Sequence, residues 1–134
     1  PVSHAQTGSD KITIQEVKQE TQDLIEALKG YSADQRDEAV EMTREALGKL
    51  DRRIDTLETR IDNNWDQMDK AAREKARATL KALRKQRIEL AEWYGSWKES
   101  SASAWELMKN GFSDAYQTLN DAWERAQMEF GAGN

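Results

Sequence analysis

Eight of the ten aromatic residues lie between Trp93 and Phe130, and they recur on a helical period. Trp105, Met108, Phe112, Ala115, Leu119, Ala122 and Ala126 follow one another at alternating steps of three and four, which lines them along one side of a helix. Tyr116, Trp123 and Phe130 lie four residues beyond Phe112, Leu119 and Ala126, so the apolar face is wide. A helix this apolar on one side must cover that face with its own chain, a second copy or a lipid surface. Bundle core is the main expectation. In the alternative, Trp93, Trp97, Trp105, Phe112, Tyr116, Trp123 and Phe130 form an interaction face for a partner or a membrane.

The rest of the chain reads as more helix. One proline, 34% charged residues and an abundance of Ala, Glu, Lys, Leu, Arg and Gln are the composition of long helices. At 134 residues the chain suits one domain with a real core. No stretch has the uninterrupted apolar length that crosses a bilayer. A net charge of -5 disfavours nucleic acid as the partner, and the absence of cysteine removes disulfides and thiolate chemistry.

Residues 1–12 read as a leader. Ser3 and Ala5 have the small-x-small spacing that signal peptidase reads, here ahead of Gln6. Export to the periplasm is the expectation, with the cytoplasm as the alternative. Thr13 and Glu16 then form a capping box for a short helix over residues 14 to 29, carrying Ile14, Val17, Thr21, Leu24 and Leu28, with Gly30 as a left-handed stop.

Ser32 with Gln35 is a second capping box, followed by Val40, Thr43, Leu47, Leu50, Ile54, Leu57 and Ile61 at heptad spacing. Asn63 and Asn64 are poor helix residues and Asp69 suits a new cap, so a turn is expected between Asp62 and Asp69. A continuous helix, with Ile61, Trp65, Met68 and Ala72 bridging a stutter, is the alternative. An internal echo favours the turn: Ser32, Arg36 and Ala39 recur in spacing as Asp69, Arg73 and Ala76. The third helix should turn Ala76, Leu80, Leu83, Leu90 and Trp97 inward. Gly95, Ser96, Ser100, Ser101 and Ser103 loosen its end, and Ser103 with Glu106 offers a cap for the last helix.

Charge predicts how the second and third helices pair. Asp51, Asp55, Glu58 and Asp62 form an acidic stripe, and Arg73, Arg77, Lys81 and Arg84 a basic one with nearly the same steps. Laid antiparallel, they match as Asp62 with Arg73, Glu58 with Arg77, Asp55 with Lys81 and Asp51 with Arg84. Each exposed pair contributes only about 0–1 kcal/mol, but the set selects an antiparallel hairpin over a parallel pair.

The segments Arg84-Lys-Gln-Arg-Ile-Glu-Leu-Ala-Glu-Trp-Tyr-Gly95, Ala104-Trp105 and Gly111-Phe-Ser-Asp-Ala-Tyr116 give the chain a family look. Over residues 40 to 130 it resembles small bacterial coiled-coil proteins, sometimes labelled stress-response proteins, with apolipoprotein-like amphipathic repeats. The resemblance implies an export signal and no particular activity, because the group has no catalytic motif to carry over.

Catalytic constellations are not evident. The single histidine, His4, lies in the leader, so a nucleophile elsewhere would lack the usual base. Asp51 with Asp55 and Glu58 with Asp62 are spaced like carboxylate pairs, but a solvated or salt-bridged face explains them better. Bundle metal pairs use Glu-x-x-His signatures, and none occurs, so no metal or cofactor is expected. Lys70 to Arg87 holds eight basic residues and one acid, Glu74, without interleaved aromatics, which suits internal charge pairing better than nucleic acid.

The chain is therefore expected to be all-α: an up-and-down antiparallel helical bundle or coiled coil of one short and three long helices, over residues 13–130, with a tail at 131–134. The long helices should run about thirty residues, or roughly 45 Å. The expected function is non-enzymatic binding or scaffolding, with another protein or a second copy as partner. Association with lipid or an apolar ligand is the alternative.

Overall fold

A computed structural model describes residues 13–131; the leader motif at Ser3 to Ala5 lies outside the described residues. Four helices make an all-α bundle: α1 (Ile14–Lys29), α2 (Arg36–Asn63), α3 (Lys70–Lys98) and α4 (Trp105–Ala126), the last running into a π-helical turn, Gln127–Gly131. The last helix has 22 residues, shorter than the thirty expected.

The start signals explain two helix beginnings and misplace a third. Thr13 Oγ1 accepts from the Glu16 N–H at 3.0 Å while Glu16 accepts from the Thr13 N–H at 2.9 Å, closing the expected box on α1. These bonds hold the exposed Glu16 carboxyl below its ordinary pKa, the Thr13 N–H being the larger cause. Asp69 caps α3 through the Ala72 N–H at 2.8 Å. The Gln35 side chain accepts from the Ser32 N–H at 3.1 Å, and a 3₁₀ turn, Ala33–Gln35, leads into α2. Ser103 caps nothing. Ser101 Oγ accepts from the Ala104 N–H at 3.2 Å in the turn that precedes α4, and α4 itself starts at Trp105 with no side-chain cap on Ala104. Glu106, the other half of the expected box, is held by Lys109.

Gly30 also departs from expectation. Its φ is -85°, right-handed, because the end of α1 closes by tight bonds from Gly30 N to Ala27 O and from Tyr31 N to Leu28 O. Those bonds satisfy the terminal carbonyls that a left-handed residue would otherwise help to cap. Gly95 and Ser96 do not end α3, which continues to Lys98.

Heptad spacing decides the core. α3 buries Ala76, Leu83, Leu90 and Trp97, one residue every seven, and Leu80, expected inside, is only partly buried. α2 buries Ala39, Thr43, Leu47, Leu50, Ile54, Leu57 and Ile61. α1, too short to be stable alone, buries Val17, Thr21, Leu24 and Leu28 against its neighbours.

α2 and α3 fold back on each other about the turn at Asn64 to Asp69, as charge and echo predicted. Tyr94 reaches the Val40 carbonyl at 3.5 Å and Arg36 reaches the Ser100 carbonyl at 2.5 Å, which is the expected antiparallel alignment. The ion pairs are different from those expected. Arg84 pairs with Asp55 at 3.3 Å and with Glu58, and Arg87 pairs with Asp51 at 2.6 Å. Arg84, assigned to Asp51, thus meets carboxylates one and two turns nearer the hairpin tip, and Asp51 takes Arg87, which had no partner in the expected set. The cause is that helical side chains lean toward their own N-terminus, so a long arginine covers the preceding turn. Arg73 and Arg77, assigned to Asp62 and Glu58, lie over the Trp65 ring at 5.3 and 4.7 Å instead. Arg73 Nε also donates to the Trp65 carbonyl at 2.9 Å, pinning the turn. Lys81, assigned to Asp55, has no ion-pair partner among the described residues.

Cations close the other reversals too. Arg36 donates to the carbonyls of Trp97, Lys98 and Ser100 at the end of α3. Lys109, 2% exposed, donates to the Tyr31 carbonyl beyond α1 at 2.9 Å, beside the Trp105 indole N–H at 3.0 Å. Arg60 donates to the Gly131 carbonyl at 3.1 Å. Positive charge is favourable at helix C-termini, where carbonyls lack intrahelical partners.

α4 faces α1 with a polar row. Glu124 is 3.8 Å from Lys18 and nearly buried, and burial pushes its carboxyl pKa above the ordinary value despite the lysine. A raised acid pKa means that the folded state holds the proton more tightly than the unfolded chain, so the ionised carboxylate costs stability above that pKa and the cost fades as pH falls toward the ordinary range. Glu124→Gln should therefore stabilise the protein near pH 7, and thermal melts should show the gain shrinking to nothing near pH 4.

Candidate surface groove

The seven aromatic residues named as a candidate face separate into two groups. Trp97, Trp105, Phe112, Tyr116 and Trp123 are buried, and Phe130 is partly buried against the core. Trp97 sits centrally, 5.0 Å from Trp105 and 5.4 Å from Phe112 between ring centroids, with Tyr116 5.9 Å beyond Phe112. Burial pushes the Tyr116 hydroxyl pKa up. Trp93 alone of the seven stays at the surface, 39% exposed.

Trp93 lies in a groove of about 890 Å³ between α3 and α4. Its indole packs directly on the backbone of Gly111: a Cβ built there would fall 2.2 Å from Trp93 Cζ3. The one hint of this contact in the sequence is the glycine itself, since Gly inside a helix costs about 1 kcal/mol relative to Ala and is tolerated where packing needs the space. Helical spacing alone assigns Gly111 no contact, because its neighbour Trp93 lies on another helix. Gly111→Ala should lever the indole outward, giving a red-shifted tryptophan emission and a loss of about 1–3 kcal/mol.

Met108 and Ala115 add apolar surface to the groove, and Glu89, Glu92 and Asp114 bring three carboxylates. Among the described residues none of these three carboxylates has a cationic partner. The groove thus combines a flat indole, a flexible thioether and unneutralised negative charge. That chemistry suits a cationic side chain lying over an aromatic ring, or an apolar anchor flanked by bases.

Of the carboxylates considered for acid–base work, Asp51, Asp55 and Glu58 receive Arg87 and Arg84, while Asp62 has no ion-pair partner among the described residues. A smaller hollow of about 280 Å³ between α1 and α2 is flanked by the Arg53–Glu20 pair, with Tyr116 at its wall. Among the described residues no three His, Cys, Asp or Glu side chains gather to hold a metal ion, and no helix is long and apolar enough to cross a membrane. No protein-family model, curated protein or solved structure matches this chain.

Proposed function

We propose that this protein is a non-catalytic binding or scaffolding module that receives a basic segment of a partner protein in the α3–α4 groove. The observation that carries the reading is Trp93, the one member of the aromatic series that packing leaves exposed, set on Gly111 among Glu89, Glu92 and Asp114. Aromatic residues in a concave site are the usual anchors of binding energy, and complementary charge adds specificity and association rate. The burial of Trp97, Trp105 and Trp123 supports this reading over lipid association through the same face. The spacing of Ser3 and Ala5 supports an exported protein, for which the periplasm is the proposed compartment.

A photo-reactive amino acid at position 93 tests the site in the source cell, with the same probe at exposed Glu26 as control. Adducts with a discrete protein from position 93 alone, suppressed by Asp114→Lys, support the groove. Equal labelling from both positions, or labelling indifferent to Asp114→Lys, contradicts it.

A further inference from the structure

The side of α3 directly opposite its buried heptad presents Ala78, Lys81, Lys85, Ile88, Glu92 and Ser96 to solvent. Ile88 is 62% exposed, a large apolar side chain at the middle of an otherwise polar stripe. Lys81 and Lys85 lie on one side of it in sequence, Glu89 and Glu92 on the other. Among the described residues none of these four has an ion-pair partner, whereas the arginines beside them on the α2 side are committed to Asp51, Asp55 and Glu58.

We propose that this face of α3 pairs with the same face of a second copy, antiparallel, about a two-fold axis near Ile88. A two-fold interface must be self-complementary, because each contact from one copy is repeated by the other. Reversing α3 about that point sets Lys85 against Glu89 of the partner subunit and Lys81 against Glu92 of the partner subunit. Symmetry doubles these to four ion pairs. Ala78 then opposes Ser96 of the partner subunit, two small residues that let the helices approach, and the exposed Ile88 is covered. A parallel pairing would instead set lysine beside lysine and glutamate beside glutamate. Within one helix, a lysine preceding a glutamate by four residues is the weaker orientation of that pair, so Lys85 and Glu89 are little committed to each other. This surface shares Glu89, Glu92 and Ser96 with the α3 rim of the groove at Trp93 but not Trp93, Gly111 or Asp114. Self-pairing would therefore compete with a basic segment for two of the groove's three carboxylates, and it is read out by oligomeric state with no groove partner present.

Sedimentation equilibrium of the full chain at low and high salt, with charge-reversed variants, tests the pairing. Wild type should dimerise, with a dissociation constant raised about tenfold or more by molar salt, where screening shortens to about 3 Å. Lys81→Glu with Lys85→Glu should be monomeric, as should Glu89→Lys with Glu92→Lys. Mixing these two variants should restore a one-to-one dimer, and all four substitutions in one chain should restore self-association. Helical circular dichroism should not change, since every altered side chain is exposed. A wild-type protein monomeric at 100 μM or so would overturn the proposal. So would dimers indifferent to both reversals, or reversed variants that fail to pair when mixed.

Discussion

Trp97→Ala should be the most damaging single substitution in the core, lowering stability by about 3–5 kcal/mol. Trp97 is fully buried and is the last of the four heptad positions by which α3 meets the bundle. Its ring touches Trp105 on one side and Phe112 on the other, so truncation opens a cavity that two rigid rings on α4 cannot collapse to fill. Domains of this kind have about 5–15 kcal/mol of stability in all. Urea titration should show the midpoint fall sharply while Trp93→Ala, at the surface, moves it little. A Trp97→Ala change within about 1 kcal/mol of wild type would mean that the aromatic series is not packed as described.

Arg36→Met should be the most costly loss of a surface cation, at about 2–3 kcal/mol. The guanidinium is half-buried, bonds three carbonyls at the end of α3 and lies 4.9 Å over the Trp105 ring, so one side chain ties the start of α2 to the α3–α4 connection. Lysine keeps the charge but not the planar fork that reaches several carbonyls at once, so Arg36→Lys should recover less than half of the loss. Lys109→Met should cost less than Arg36→Met despite deeper burial, because the Tyr31 carbonyl keeps the Trp105 indole N–H when the ammonium is gone. Urea midpoints rank the three, and amide exchange at residues 99 to 104 should quicken only in the Arg36 variants.

These two sites also mark what could be read from the sequence. Trp97 was legible because burial follows spacing: a residue seven beyond Leu90 and fourteen beyond Leu83 returns to the same face of α3. The start of α1 at Thr13 and of α3 at Asp69 was legible for a similarly local reason, since a cap is made by residues three apart. Arg36 was not legible as a clasp, because its acceptors are backbone carbonyls more than sixty residues away and carry no sequence signature. The acidic and basic stripes correctly foretold an antiparallel hairpin but gave the wrong partners, since residue spacing says nothing of the lean of a long side chain. Ser103 looked like a cap, but α4 starts without one, and the nearest serine bond, Ala104 N–H to Ser101 Oγ, lies in the turn before it. The groove needed two helices in register before Trp93 and Gly111 could be seen as neighbours.

Packing commits the aromatic series to the core and leaves one indole of that series, Trp93, at the surface. Tryptophan emission decides this in a chain carrying Trp65→Phe and Trp93→Phe, in which only Trp97, Trp105 and Trp123 report. The expected spectrum is blue-shifted, barely quenched by iodide and unchanged when phospholipid vesicles are added. Emission near that of free tryptophan, ready quenching by iodide, or a shift on adding vesicles would instead show that this face opens to solvent or lipid and is not the core of the bundle.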